Sequence, residues 1–411
     1  LEFRRVLFRS FEKIRTTAVK AVRALTRRAS TVLGSLRKSS SPLADRLLSD
    51  ALRIAEIPSP TAREEQRAAF VLERLRSLGL NPQVDEDGNV LARITCPVPD
   101  DPRPILVLAE LSSPRWHPLE SLSRLDADRA YGAGLSDSLG PATLLSLAES
   151  LQSGTPAISK DILLLFAARP LDDPRGSVLR RLAEDPQDRP AAALGLRGLS
   201  LGTVPIKSLG TYRIEVRVRT DAEVSETGRK PGSADRGHRN AVDAVVALAR
   251  TLTGITWDAE KRTTCAIRRI EAGSGFGHEP TEGLLDIELE SADEAVLEIA
   301  MKAATATAES RGREANLQTQ VTIAGYVPVG DPGAGAGLSK LVIQALKEQH
   351  IKIREESGAD PAAFFSSRGI PAVSLAVASG REGLDRDEIE VASIEKGRRL
   401  LASVIDRVSK E

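Results

Sequence analysis

The sequence predicts an α/β fold built on a mostly parallel sheet, with a smaller α+β unit inserted into it. Three observations carry this. Residues 105–109, 162–168 and 371–377 are short apolar runs without polar alternation, as expected of parallel strands buried on both faces. Residues 211–219 do alternate, with Tyr212, Ile214, Val216 and Val218 on one face and charged residues on the other, which marks an antiparallel strand with one wet face. At 411 residues and 41% apolar composition, the chain also exceeds what one core usually serves.

In chain order, residues 1–10 (LEFRRVLFRS) resemble the translation of a sequencing-adapter oligonucleotide and are set aside. The only methionine is Met301, so the true N-terminus is expected to lie upstream. Residues 11–42 form a basic leader in which apolar residues such as Ile14, Ala18, Val22 and Leu25 recur at helical spacing. It reads as a solvated or partly disordered leader, with a membrane-surface or partner helix, and then a nucleic-acid-binding segment, as the alternatives. A helix over 43–57 ends at Pro58-Ser59-Pro60, and Thr61 with Glu64 three residues on has the spacing of a capping box for a second helix that runs to about Leu78 and stops at Gly79. Asp87-Gly88-Asn89 is a hairpin turn between strands at 83–84 and 90–94. A helix over 142–151 separates the first two apolar runs. In the inserted unit, helices at 240–252 and 292–311 accompany strands at 211–219 and 284–289. Gly330-Asp331-Pro332-Gly333 is the hinge back to the larger unit, where a helix at 338–350 precedes the last apolar run. The expected division is 43–205 with 329–411 for the larger unit and 206–328 for the insert.

The totals exclude some functions. Lys+Arg and Asp+Glu both number 57, so no whole-chain electrostatic footprint favours nucleic acid. Two cysteines, Cys96 and Cys265, make no disulfide framework, and a cytoplasmic location is expected. Neither is paired with a His or Asp in its segment, which argues against nucleophilic catalysis. No apolar run approaches the ~18 residues that span a bilayer.

Several segments together resemble the di-zinc metallopeptidase and amidohydrolase family of tripeptidase T, aminoacylase, acetylornithine deacetylase and succinyl-diaminopimelate desuccinylase. They are Ile54-Ala55-Glu56-Ile57-Pro58-Ser59-Pro60-Thr61, Asp87-Gly88-Asn89-Val90, Tyr131-Gly132 through Asp137, Gly237-His238-Arg239-Asn240-Ala241 and Arg368-Gly369-Ile370-Pro371-Ala372-Val373. The resemblance covers about 43–409. It implies a zinc-exopeptidase-like domain with an inserted lid or dimerisation domain, two zinc ions, and hydrolysis of a peptide or N-acyl amide bond. In such sites two metals hold and activate a water while a carboxylate acts as general base.

Carried over position by position, the resemblance places Glu110 and Ser112 at the family's first His and Asp, and Asp137 at the bridging carboxylate. Asp172 falls at the general base and Asp173 at the adjoining ligand, while Arg197 replaces a ligand aspartate and Gly383 the final histidine. The family's substrate-binding Asn and Arg fall on Gly277 and Glu290, and its lid histidine near Lys230. His278 sits where the substrate loop enters and is a candidate binding residue. None of the four histidines, His117, His238, His278 and His350, falls at a ligand position.

Two readings follow. In the first, the chain is a non-catalytic descendant that binds a ligand or partner in the old cleft, with Arg197 as an internal cation among the surviving acids. In the second, Glu110, Asp137, Asp172 and Asp173 form an all-carboxylate site suited to Mg²⁺, Mn²⁺ or Ca²⁺. The resemblance also implies a homodimer through the inserted unit.

Overall fold

The computed structural model describes residues 41–60, 63–113, 123–126, 128–168, 177–186, 188–220, 240–273, 275–276, 280–331, 333–383 and 385–411. The first ten residues and nearly all of the basic leader lie outside them.

Helix α1 (Pro42–Glu56) opens the fold, with Ser41 Oγ accepting from the Ala44 N–H as its cap and Pro42 in the first turn, where a missing N–H costs nothing. Helix α2 (Glu65–Ser77) corrects the expected capping box. Thr61 lies outside the described residues, and Glu64 occupies the N-cap without capping: its carboxylate accepts from Ser112 Oγ instead. The expected hairpin joins β1 (Gln83–Val84) and β2 (Val90–Ile94), with Gly88 at φ +87° in its turn. Then follow β3 (Asp101–Glu110), β4 (Arg124–Asp126), β5 (Arg129–Gly132), α3 (Leu135–Gln152), β6 (Lys160–Ala167), α4 (Ser177–Glu184), β7 (Ala192–Arg197) and β8 (Thr203–Ser208). After these come β9 (Gly210–Arg219), α5 (Ala241–Thr253), β10 (Thr264–Ala272), β11 (Glu282–Ser291), α6 (Glu294–Glu314) and β12 (Gln318–Val327). The described chain ends with α7 (Ala336–Glu348), β13 (Arg354–Gly358), α8 (Ala363–Ser366), β14 (Ala372–Ala376), β15 (Gly380–Arg381), β16 (Asp387–Glu390) and α9 (Val391–Lys410).

The main sheet has the order β1-β2-β6-β3-β7-β14, and its last four strands are parallel. Successive residues of these strands feed opposite cores. Ile105, Val107 and Ala109 join one cluster with α1, α2, α3, α7 and α9, whereas Leu106 and Leu108 join the other with α4 and the aromatic pair Phe364 and Phe365. Double-sided burial explains why these runs show no polar alternation.

Helix α3 begins seven residues earlier than the expected 142. Pro141 stands inside it, so the helix tolerates one missing N–H in a fully buried segment. Its start has no cap of its own: Gly134, at φ +64°, occupies the N-cap. Asp387 supplies the cap from 251 residues away, Oδ2 accepting from Ser136 N at 2.9 Å and from Ser136 Oγ at 2.7 Å. Strand pairing of β16 with β5, Asp387 opposite Gly132, brings that carboxylate into place.

The inserted stretch forms its own antiparallel sheet, β10-β11-β9-β12. Ile214, Val216, Val218, Leu285, Ile287 and Leu289 point to α5 and α6, with Ala300, Ala304 and Ala308 allowing α6 to lie close. The opposite face is ion-paired, as between Arg213 and Glu288 at 3.2 Å. The one-wet-face reading of residues 211–219 is borne out. No described helix is long and apolar enough to cross a membrane.

The start of α3 presses on the end of β7. A Cβ built on Gly198 would lie 1.9 Å from the Ser136 carbonyl oxygen. We therefore expect Gly198→Ala to lower stability by about 1–3 kcal/mol in urea unfolding; an unchanged midpoint would contradict this contact.

Candidate functional site at the C-terminal edge of the parallel sheet

The chain leaves β3 toward β6 and leaves β7 toward β14, in opposite directions across the sheet. Such a reversal opens a crevice beyond the strands' C-terminal ends, the usual ligand position in open α/β sheets. Glu110 ends β3 and Arg197 ends β7, and Asp137 stands in the first turn of α3. The topology thus brings these three sequence-predicted positions to one edge. Gly383 contributes no side chain there. Asp172, Asp173 and His278 lie outside the described residues, as do Lys230 and Gly277. Glu290 is in β11, half-buried on the inserted sheet, where burial pushes its carboxyl above the usual range.

Asn89 fixes the last described residue after β6. It is fully buried, donates to both Asp85 carboxylate oxygens and accepts from the Ala168 N–H at 2.8 Å, fixing the backbone just past β6.

The centre of the edge is a guanidinium that sequence reasoning missed. Arg67, on α2, has no solvent exposure. Its Nε donates to the Ile57 carbonyl at 3.2 Å and Nη1 to the Leu111 carbonyl at 3.1 Å, while Nη2 is buried without a hydrogen-bond partner. Burial holds its pKa down to about 10, and the charges of Asp137 and then Glu64 oppose that fall, so it stays a cation at neutral pH. A signal was present: Arg67 shares a helical face with Val71 and Leu75, both fully buried, so it lies on an apolar stripe where a charge demands partners.

Small hydroxyls complete the network. Ser113 Oγ donates to Asp137 Oδ2 at 2.8 Å, Ser112 Oγ to Glu64 Oε1 at 2.9 Å, and Ser59 Oγ to the Leu111 carbonyl at 2.9 Å. Only glycine fits at 134, because its φ is positive and a Cβ there would lie 2.3 Å from Ser113 Oγ. Arg197, expected among the surviving acids, is ion-paired with Glu356 at 3.5 Å, both side chains exposed. Arg67 is charge-coupled to Asp137.

Comparison with known proteins fits this geometry. No protein-family model matches the chain. A tripeptidase from Staphylococcus aureus superposes with a TM-score of 0.63, covering 90% of this chain and 99% of that one at 16% identity. The YXEP protein of Bacillus subtilis, a dinuclear metal-binding peptidase of the M20 family, superposes at 0.57 over 90% and 99% with 13% identity. The chain has the fold of the M20 peptidases. The resemblance read from the motifs is thereby borne out, as is the α/β architecture with its α+β insert. In sequence, the protein of Pyrococcus abyssi named as a LysW-lysine/LysW-ornithine hydrolase is 28% identical over 151 residues, 35% of this chain and 41% of that relative. The match spans less than half of the hydrolase.

The YXEP protein is a dinuclear metal-binding peptidase, and the described donors of this chain do not by themselves assemble such a centre, Asp172 and Asp173 lying outside the described residues. Among the described residues, no three His, Cys, Asp or Glu side chains gather as a metal-binding group. Two of the carried-over positions hold Arg197 and Gly383, Ser112 is engaged by Glu64, and Asp137 sits in the field of the Arg67 cation. No thiol takes over: burial pushes Cys265 up to about 11, and Cys96 is buried with its Sγ against the Ile158 carbonyl.

Removing one member of a buried charge network strands the others. Arg67→Met should cost about 3–5 kcal/mol in denaturant unfolding, and Ser113→Ala about 1.5–3 kcal/mol, the worth of a hydrogen bond to a charged group. Losses below about 0.5 kcal/mol in both would show that the network contributes no stability.

Proposed function

We propose that this chain is a peptidase- and amidohydrolase-like protein without di-zinc hydrolysis, which uses the crevice beyond β3 and β7 to bind a ligand or partner. The observation that supports this most is Arg67, a fully buried cation charge-coupled to Asp137, the carboxylate that the resemblance puts at the family's metal-bridging position. A guanidinium there supplies the positive charge a metal would, and it repels one. Arg197 and Gly383 at carried-over ligand positions support the same reading. The resemblance suggests a peptide or N-acyl amino acid as the class of molecule bound.

A second reading, a hydrolase with a carboxylate-only metal site, draws on a different observation. Asn89 fixes the backbone at Ala168, four residues before Asp172 in sequence, at the end of β6 beside β3, which ends at Glu110. In this reading Asp172 is the base and Glu110, Asp137 and Asp173 are the ligands.

Metal content separates the two. Protein lacking residues 1–10, incubated with excess Zn²⁺, Mn²⁺ or Mg²⁺ and exhaustively exchanged, should retain well under one ion per chain by plasma mass spectrometry, and should not hydrolyse dipeptides or N-acyl amino acids. One or two retained ions, or metal-dependent turnover lost in Asp137→Ala, would overturn the first reading in favour of the second.

The family resemblance also leads us to propose a homodimer through the inserted unit, whose edge strands are β10 and β12. Sedimentation equilibrium should give twice the monomer mass; a monomer at all concentrations would exclude the dimer.

A further inference from the structure

A second concavity lies away from the crevice. It has a volume of about 230 Å³ and sits where β8, the 330–335 hinge, α7 and the start of β14 meet. Ala372 and Val373 line it from the N-terminal half of β14, whereas Arg197 is registered against Ala376 at the other end of that strand. Its volume is below the ~300–1,000 Å³ of drug-sized ligand sites, so it suits a molecule of a few heavy atoms.

The polar lining is acceptor-rich and anionic. Asp360 is 3% exposed, and its two hydrogen bonds, from Ser374 Oγ and from the Ala362 N–H at 2.9 Å, both fall on Oδ1. No described residue donates to Oδ2. Ser208 Oγ is buried without a hydrogen-bond partner. Asp331, which gives one oxygen to the Gly333 N–H at 2.7 Å, is exposed at the rim, and Ser339 lines the α7 side. Among the residues whose side chains are described, no Lys, Arg or His lines the cavity. The start of α7 adds about half a positive charge, less than the two carboxylates contribute. Burial raises the Asp360 carboxyl above its usual range, opposed by its hydrogen bonds from Ser374 and the Ala362 N–H and by the field of Arg197. Space is kept open by Gly330, where a Cβ would lie 2.7 Å from Ser208 Cβ and 2.9 Å from Ser366 Oγ.

We infer that this cavity is a binding site for a small primary ammonium compound, its charged nitrogen held by Asp360 Oδ2 and Ser208 Oγ, with Asp331 at the rim. A buried carboxylate with both hydrogen bonds on one oxygen leaves the other open to a donor, and an ammonium supplies charge and donor together.

The test is calorimetric titration of the full chain with ethanolamine, and with ethylene glycol as a neutral control of the same size. Saturable ethanolamine binding with a Kd of roughly millimolar magnitude is expected for so small a ligand, with no response to ethylene glycol. Asp360→Asn should weaken binding at least about tenfold. Because Asp360 is buried, that variant is paired with Ser339→Phe, which places bulk at a half-exposed helix position lining the cavity and removes none of the residues that hydrogen-bond Asp360. Ser339→Phe should abolish binding while keeping the wild-type circular dichroism spectrum. No saturable binding by the wild type, an equal response to ethylene glycol, or binding retained in Ser339→Phe would overturn the assignment.

Discussion

A guanidinium with no solvent exposure has to be hydrogen-bonded and charge-balanced where it lies, and Arg67 imposes that constraint on the whole C-terminal edge of the parallel sheet. Its two satisfied nitrogens hold the carbonyls of Ile57 and Leu111, so the chain just after α1 and the chain just after β3 are tied to α2 through one side chain. The acids that balance it, Asp137 and Glu64, are each held by a neighbouring serine of the Ser112–Ser113 pair. Four segments distant in sequence therefore meet around one charge. Any ligand entering the crevice beyond β3 and β7 meets an edge whose charges are already partly paired.

Most of the architecture was legible because burial leaves a pattern in sequence. The unalternating runs became β3, β6 and β14, the alternating run became β9, and Asn240 and Asp293 each stand at the cap of a helix found close to its expected place. What escaped notice was set by long-range contacts. The first half of α3 contains Gly140 and Pro141, poor helix formers, and its cap is Asp387, so neither local propensity nor a local capping residue announces it. β8 pairs with β13 across some 150 residues in a short parallel ribbon that no local alternation marks.

The site was less legible than the fold for a related reason. Aligning Glu110, Asp137 and Arg197 by motif placed them on one edge but said nothing of where their side chains find partners. Arg197 lies at the end of a strand with solvent beside it, and a guanidinium so placed pairs with the nearest exposed acid, Glu356. Arg67 sits one helix away in a segment with no motif, yet geometry brings it into the field of Asp137. The apolar stripe on α2 held the clue, since an arginine between buried positions is either misplaced or paired.

Fold and chemistry separate readily in such a scaffold because they depend on different atoms. The two cores flanking the main sheet are built from aliphatic residues in strand interiors, while the family's metal ligands stand at strand ends and loops and add little to either core. Ligands can be exchanged for glycine or arginine without loosening the sheet, provided the remaining charge is balanced. Asp137 then needs no metal to account for its presence: one of its oxygens accepts from Ser113, and its charge offsets a cation that cannot reach water. The hydrogen bond from Ser113 and the nearby Arg67 charge give Asp137 a structural role that does not depend on a metal.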